Sequence, residues 1–199
     1  MQYVEHLSKD KKLAPIIEEH GAFELKKRKH LHLRLAGSIM SQQLSTKVAD
    51  VFHKRFLDLY DVSNPTAQHI AATPFGTLRA IGLSNQKTQY ILNIADFFIK
   101  EEDAEKKIRK MSNQEAIEYL TQIKGVGRWT VEMLLMFTLG RENVFPVDDY
   151  GIQSAMKKVY RLNDSNKKLF REKMQKIASR WEPYQTYACM HLWQWKDTK

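Results

Sequence analysis

Two adjacent carboxylates, Asp148 and Asp149, follow the apolar run Val144-Phe145-Pro146-Val147 and precede a stretch with helical spacing at Ile152, Met156 and Val159. An aspartate at such a junction ordinarily caps the helix by accepting from its first amides. Two in a row allow a division of labour, one capping and the other turned toward a ligand. Upstream, Lys124-Gly125-Val126-Gly127 makes a tight hairpin that leads into a helix beginning near Arg128. Glycine tolerates positive φ and lets a backbone come close to a ligand. With the amides and positive end of the following helix, the segment from Lys124 to Arg128 suits a phosphate and needs no sequence readout. Each feature alone has a plain structural reading, a helix-to-helix turn or a helix cap. Together, in a basic chain, they point to a protein that grips a DNA strand and acts on one nucleotide. A carboxylate kept near phosphates repels its own ligand, so it needs a purpose.

Other residues fit that chemistry. Leu120, Ile123, Val126, Val131 and Leu134 give the hairpin the apolar frame of a helix-hairpin-helix. Gln42, Gln43 and Leu44 fall at an exposed tip between a helix carrying Leu31, Leu35 and Ile39 and a second helix that Ser45 can cap. Long amide side chains both donate and accept, which suits the gap left when a base leaves a duplex, although a solvated loop has the same composition. Trp129 places an indole at the hairpin, where it can face an extruded base, and an aromatic face attracts a cationic ring by roughly 0.5–2 kcal/mol. Trp181, at helical spacing with Phe170, Met174 and Ile177, belongs to the core. Lys26-Lys27-Arg28-Lys29 and Lys157-Lys158 are solvated faces first and DNA contacts second.

These groups must be positioned by helices. Helical punctuation recurs along the chain and strand alternation is scarce. Ser112-Asn113-Gln114-Glu115 has the form of a capping box. Thr73 stands as a cap before Pro74 at a first helical position, with Gly82 closing that helix. Phe52, Phe56, Leu59 and Tyr60 make one apolar stripe, and Tyr184, Tyr187, Ala188, His191 and Leu192 another. The pattern predicts about ten short helices in a compact all-α protein. At 199 residues, with 43% hydrophobic and 28% charged, the chain can bury one substantial core or two small lobes. A formal charge of +9 favours a polyanionic partner. Cys189 is the only cysteine, which excludes an intrachain disulfide and a four-cysteine metal site. The seven histidines show no metal-ligand spacing, and there is no P-loop or dinucleotide fingerprint. No apolar run approaches the ~18 residues that span a membrane. The expected setting is the reducing cytoplasm, at the nucleoid in a bacterium or inside the nucleus in a eukaryote.

Four segments carry a resemblance to a known family: AGSIMSQQLSTKVA, IGLSNQKTQYI, IKGVGRWTVEM followed by FPVDDYGI, and WEPYQTYACMHLW. From about Leu31 to Trp195 the chain resembles the helix-hairpin-helix (HhH-GPD) DNA glycosylases, and within them the alkylbase branch, 3-methyladenine DNA glycosylase II. The resemblance implies a bilobal all-α fold with a DNA-binding cleft between the lobes and both chain ends in one lobe. Residues 1–199 would then form a single core without the extra N-terminal β-rich domain of a longer member. It implies that Asp149 is the essential aspartate; to its neighbour Asp148 we assign a capping or supporting role, as a supporting acid. Trp129 falls where lyase-active members place a Schiff-base lysine, which implies a monofunctional enzyme. Trp129, Trp193 and Met133 would line the base pocket, with Met133 replacing a tyrosine found in the best-known member. Gln42, Gln43 and Leu44 would fill the vacated space in the duplex. No cofactor is required, and the carbonyls of Thr121, Ile123 and Val126 would hold a sodium or potassium ion bridging to phosphate. The implied reaction is hydrolytic excision of alkylated purines such as 3-methyladenine from duplex DNA by a monomer, leaving an abasic site for base excision repair. The rivals are a bifunctional glycosylase/lyase, which needs an amine nucleophile, and a non-catalytic helix-hairpin-helix DNA-binding module.

Overall fold

A computed structural model describes residues 1–198, which form thirteen α-helices and one 3-10 turn, with no strand among the described residues. The count exceeds the ten that the sequence pattern suggests. The first two helices, α1 (Gln2–Leu7) and α2 (Ala14–His20), are too short to display a repeated apolar stripe. No helix is long and apolar enough to cross a membrane among the described residues.

The chain divides into two compact units. Residues 28–134 form one of them, with α3 (Leu31–Ser41), α4 (Thr46–Leu57), α5 (Ala67–Ala72), α6 (Phe75–Ala80), α7 (Asn85–Lys100), α8 (Ala104–Lys110) and α9 (Asn113–Leu120). Here α7 is the central element, with α3, α5 and α6 packed against it. Its inner face buries Thr88, Ile91, Ile94 and Ala95, and Ser84 caps its start by accepting from the Lys87 amide at 3.2 Å. The capping box at Ser112 forms as read from the sequence, with Glu115 returning a bond to the Ser112 amide. The reading of Thr73 as a cap does not hold. Its hydroxyl donates back to the His69 carbonyl at 2.8 Å, and Pro74 itself occupies the N-cap of α6.

Residues 1–27 and 135–199 form the other unit and contain both chain ends. Besides α1 and α2 it holds α11 (Tyr150–Tyr160), α12 (Lys167–Ala178), the 3-10 turn Ser179–Trp181 and α13 (Gln185–Asp197). The division falls within α10 (Arg128–Phe137). In this unit α13 is central and packs against α2 and α11. Asp10 ties the start of the chain to this core, accepting from the Tyr160 hydroxyl at 2.8 Å and the Trp181 indole at 3.2 Å.

One buried group in this core responds to acid. His191 is fully buried on α13, with its ring parallel to His20 at 6.0 Å and 4.6 Å from Phe23. Neither imidazole finds a hydrogen-bond partner among the described residues. Burial, helped by the charge His20 would carry, pushes the His191 pKa down to about 4. The folded state therefore holds His191 neutral, while the unfolded chain takes up a proton below its ordinary value near 6.5. The contribution to stability is complete above that value and is lost as pH falls toward about 4. Urea unfolding should show a loss of about 2 kcal/mol between pH 7.5 and pH 5 from this group. His191→Leu should flatten that part of the profile, and an unchanged slope would mean the ring titrates normally.

Candidate functional site

Asp149 is built into the site by three local features. The loop before it turns back on itself, with the Asp149 amide donating to the Pro146 carbonyl at 3.0 Å. Gln153 reaches back from α11 to the Val147 carbonyl at 2.9 Å. Farther upstream, Thr186 on α13 accepts from the Val144 amide at 3.1 Å and donates to the Arg141 carbonyl at 2.6 Å. The carboxylate then sits at the N-terminus of α11, where Oδ1 accepts from the Ile152 amide at 2.8 Å and from the Trp193 indole at 2.9 Å. One carboxylate oxygen is thus held by a main-chain amide and by an indole N–H. Gly151 makes this approach possible. A Cβ there would stand 2.9 Å from the indole nitrogen of Trp193 and 3.0 Å from Asp149 Oδ1.

The capping role therefore belongs to Asp149, and the assignment of that role to Asp148 is corrected. Asp148 is exposed and pairs with Arg171 at 2.6 Å, both side chains half exposed. Such a pair contributes only about 0–1 kcal/mol. Backbone direction decides the matter: the last residue before α11 turns its side chain onto the helix amides, and the residue before it points away. Trp193 uses its indole donor on Asp149, and its ring lies 5.9 Å from Phe137, a contact the sequence did not suggest. Tyr150, beside the aspartate, is 81% exposed.

The hairpin groups lie in the unit formed by residues 28–134. Leu120, Ile123, Val126, Val131 and Leu134 are all buried, so the apolar frame read from the sequence is a core. The two glycines do different work. Gly125 has φ +105°, and a side chain there would enter the Tyr90 ring. Gly127 lacks a positive φ and has open space around it, so it keeps the surface bare rather than relieving backbone strain. Lys124 and Arg128 are exposed beside it, although Arg128 commits its Nε to the almost fully buried Glu132 at 2.9 Å. Trp129 is 41% exposed, unusual for a residue of this size, and Met133 is half buried one turn further along α10. Gln42 is half buried while Gln43 and Leu44 are exposed, at the tip between α3 and α4. Gln43 takes a left-handed backbone with φ 61°.

Several supporting residues were not singled out from the sequence. Gly151 had a legible signal, since glycine within the first turn of a helix needs a packing reason. Thr186, Gln153, Tyr90, Asn93 and Lys87 had none, because their contacts depend on which elements meet in space. No cluster of three His, Cys, Asp or Glu side chains that could hold a metal ion occurs among the described residues.

Comparison with known proteins adds the family context. Residues 36–180 match the model of the HhH-GPD superfamily of base excision DNA repair proteins. DNA-3-methyladenine glycosylase 1 of Schizosaccharomyces pombe is 34% identical over 189 residues, covering 92% of this chain and 80% of the relative. A putative DNA-3-methyladenine glycosylase of Bacillus subtilis, YfjP, is 30% identical over 97% of this chain and 68% of its own. The solved structure of the S. pombe 3-methyladenine DNA glycosylase Mag1 in complex with abasic DNA superimposes with a TM-score of 0.85 at 32% identity. That match covers 98% of this chain and 96% of the solved one.

The geometry around Asp149 makes one structural prediction. Gly151→Ala should force the indole of Trp193 away from the carboxylate and cost about 1–3 kcal/mol through overpacking. Urea unfolding followed by tryptophan fluorescence checks it. A fully neutral substitution would mean that Trp193 does not hold Asp149.

Proposed function

The chain belongs to the HhH-GPD superfamily of base excision DNA repair proteins, and we propose that it is a monofunctional DNA glycosylase that removes alkylated purines such as 3-methyladenine from duplex DNA. The observation that carries this reading is the Asp149 carboxylate, held by the Ile152 amide and the Trp193 indole at the head of α11. Pure phosphate binding has no use for such a group. The named relatives and the solved complex with abasic DNA support the same reading.

The hairpin from Lys124 to Arg128 meets the DNA backbone, and its exposed glycine lets a phosphate approach the main chain. A damaged nucleotide leaves the stack, and Gln42, Gln43 and Leu44 take up the vacated space. Trp129, with Met133 beside it, receives the base. The N-glycosidic bond breaks with its electron pair leaving on the base, for which the positive charge of an alkylated purine makes it well suited. Asp149 stabilises the cation that develops on the sugar. Water adds its oxygen to the sugar carbon and gives up a proton, and the products are free base and an abasic site. Trp193 acts on Asp149 by orienting it, and its ring borders the same carboxylate. Backbone carbonyls of Thr121, Ile123 and Val126 are neutral oxygen donors of the kind that alkali cations take. Ile123 keeps a second lone pair after accepting from the Val126 amide at 2.9 Å. A sodium or potassium ion held there would offset phosphate charge at the hairpin. A lyase reaction would need an amine where Trp129 stands.

Asp149→Asn separates chemistry from folding, because asparagine caps helices as well as aspartate does. Single-turnover excision from alkylated duplex should fall about a hundred- to a thousandfold. Affinity for abasic duplex should hold or rise. A variant that folds, binds and excises at the wild-type rate would sink the mechanism. Trp129→Ala should reduce excision of cationic alkylpurines more than of neutral damaged bases, by about 1–2 kcal/mol in the chemical step. Equal losses on both substrate classes would assign Trp129 to the fold. Borohydride trapping on abasic DNA should give no adduct.

A further inference from the structure

The segment IGLSNQKTQYI sets no side chain at the reaction described above, yet it supplies the first turns of α7, the central helix of its unit. Lys87 extends from α7 to the end of α3, where its ammonium donates to the Met40 carbonyl at 3.0 Å and to the Gln42 carbonyl at 2.8 Å. The last carbonyls of a helix lack intrahelical partners, so a cation there both caps α3 and fixes the direction in which the chain leaves it. The next residue, Gln43, adopts φ 61°, a conformation L side chains rarely hold without support. Lys87 is half buried, and burial pulls its pKa below the usual lysine value, so the ammonium has given up water for these carbonyls.

Farther along the same helix, two residues hold the hairpin. The Tyr90 ring lies against Gly125, with its hydroxyl taking a bond from Gln86 at 2.6 Å. Asn93 donates to the Lys124 carbonyl at 3.0 Å. Lys87 and Asn93 are about 9 Å apart along the helix axis. One rigid element thus holds two loops that the sequence separates widely.

We infer that α7 sets the distance between the phosphate-gripping hairpin and the gap-filling loop, and that Lys87 is the positioning residue that aims Gln42 and Gln43 into the duplex. The inference rests on the glycosylase reading for the roles of the two loops. It places Lys87 behind the loop, acting on DNA through main-chain carbonyls rather than on a phosphate.

The test uses a duplex with an abasic-site analogue and 2-aminopurine as the opposite base, with wild type, Lys87→Met, Lys87→Arg and Asn93→Leu. Wild-type binding should raise the 2-aminopurine fluorescence as the loop enters the helix. Lys87→Met should lose most of that rise and slow single-turnover excision at least tenfold, with less than a threefold change in affinity for undamaged duplex. The slope of log affinity against log salt should stay as in wild type, because no phosphate contact is removed. Lys87→Arg, which keeps charged donors, should recover part of the signal and guards against a folding defect in the methionine variant. Asn93→Leu, which frees the hairpin rather than the gap-filling loop, should weaken binding to every duplex, damaged or not. Wild-type fluorescence and excision in Lys87→Met would overturn the inference, as would a salt slope reduced by about one, the mark of a direct phosphate contact. Failure of the wild-type protein to excise any alkylated base would count against the glycosylase reading instead, and the fluorescence comparison would still decide the role of Lys87.

Discussion

One carboxylate oxygen organises the unit that contains both chain ends. Asp149 Oδ1 takes an amide and an indole N–H at hydrogen-bond distance, and each bond imposes a requirement elsewhere. The amide bond requires α11 to start at Tyr150, which the turn at Pro146 and the brace from Gln153 secure. The indole bond requires α13 to lie alongside the start of α11, with no side chain at position 151. Thr186 fixes the other end of the approach by holding Arg141 and Val144 to α13. In a chain of charge +9, a carboxylate close to a polyanion would work against binding. Two donors aimed at its oxygen keep it still, and the proposed reaction calls for that preorganisation.

The two units solve a common problem with the same device. Each has a central helix, α7 in one and α13 in the other, whose apolar face is buried and whose polar residues leave that face to brace a loop. On α13 these are Thr186 and Trp193. On α7 they are Lys87, Tyr90 and Asn93. Loops have little packing of their own, so a functional loop is only as well placed as the element behind it. The fully buried His191 makes the point for α13, since its ring packs among His20 and Phe23 without a polar partner.

What was legible in the sequence is what local spacing encodes. The hairpin core from Leu120 to Leu134 could be read because apolar residues recur at helical intervals around a Gly-x-Gly turn. The capping box at Ser112 could be read because all its members lie within one turn. The aspartate pair was visible, but which of the two caps α11 was not, since that depends on where α11 begins to within one residue. The indole bond from Trp193 to Asp149 joins residues 44 positions apart, and the Lys87 tie to Gln42 joins residues 45 apart. Spacing rules do not reach that far, and only the packing of α13 on α11 and of α7 on α3 brings these groups together.

Exposure distinguishes two of the tryptophans. Trp181 is 1% exposed and satisfies its indole on Asp10, as a core tryptophan should. Trp129 is 41% exposed, although it lies in the first turn of a helix whose following residues Thr130, Val131 and Glu132 are buried. Leaving a large apolar surface in water forgoes up to about 3 kcal/mol of burial, and the base-receiving role proposed for Trp129 would make use of that exposed face. A flat, electron-rich face suits a purine, and it suits best a purine made cationic by alkylation. The same charge weakens the glycosidic bond, so on the proposed reading one property of the damaged base serves both its recognition and its departure. That is why an enzyme of this kind needs no amine nucleophile and can do its chemistry with a single well-held carboxylate.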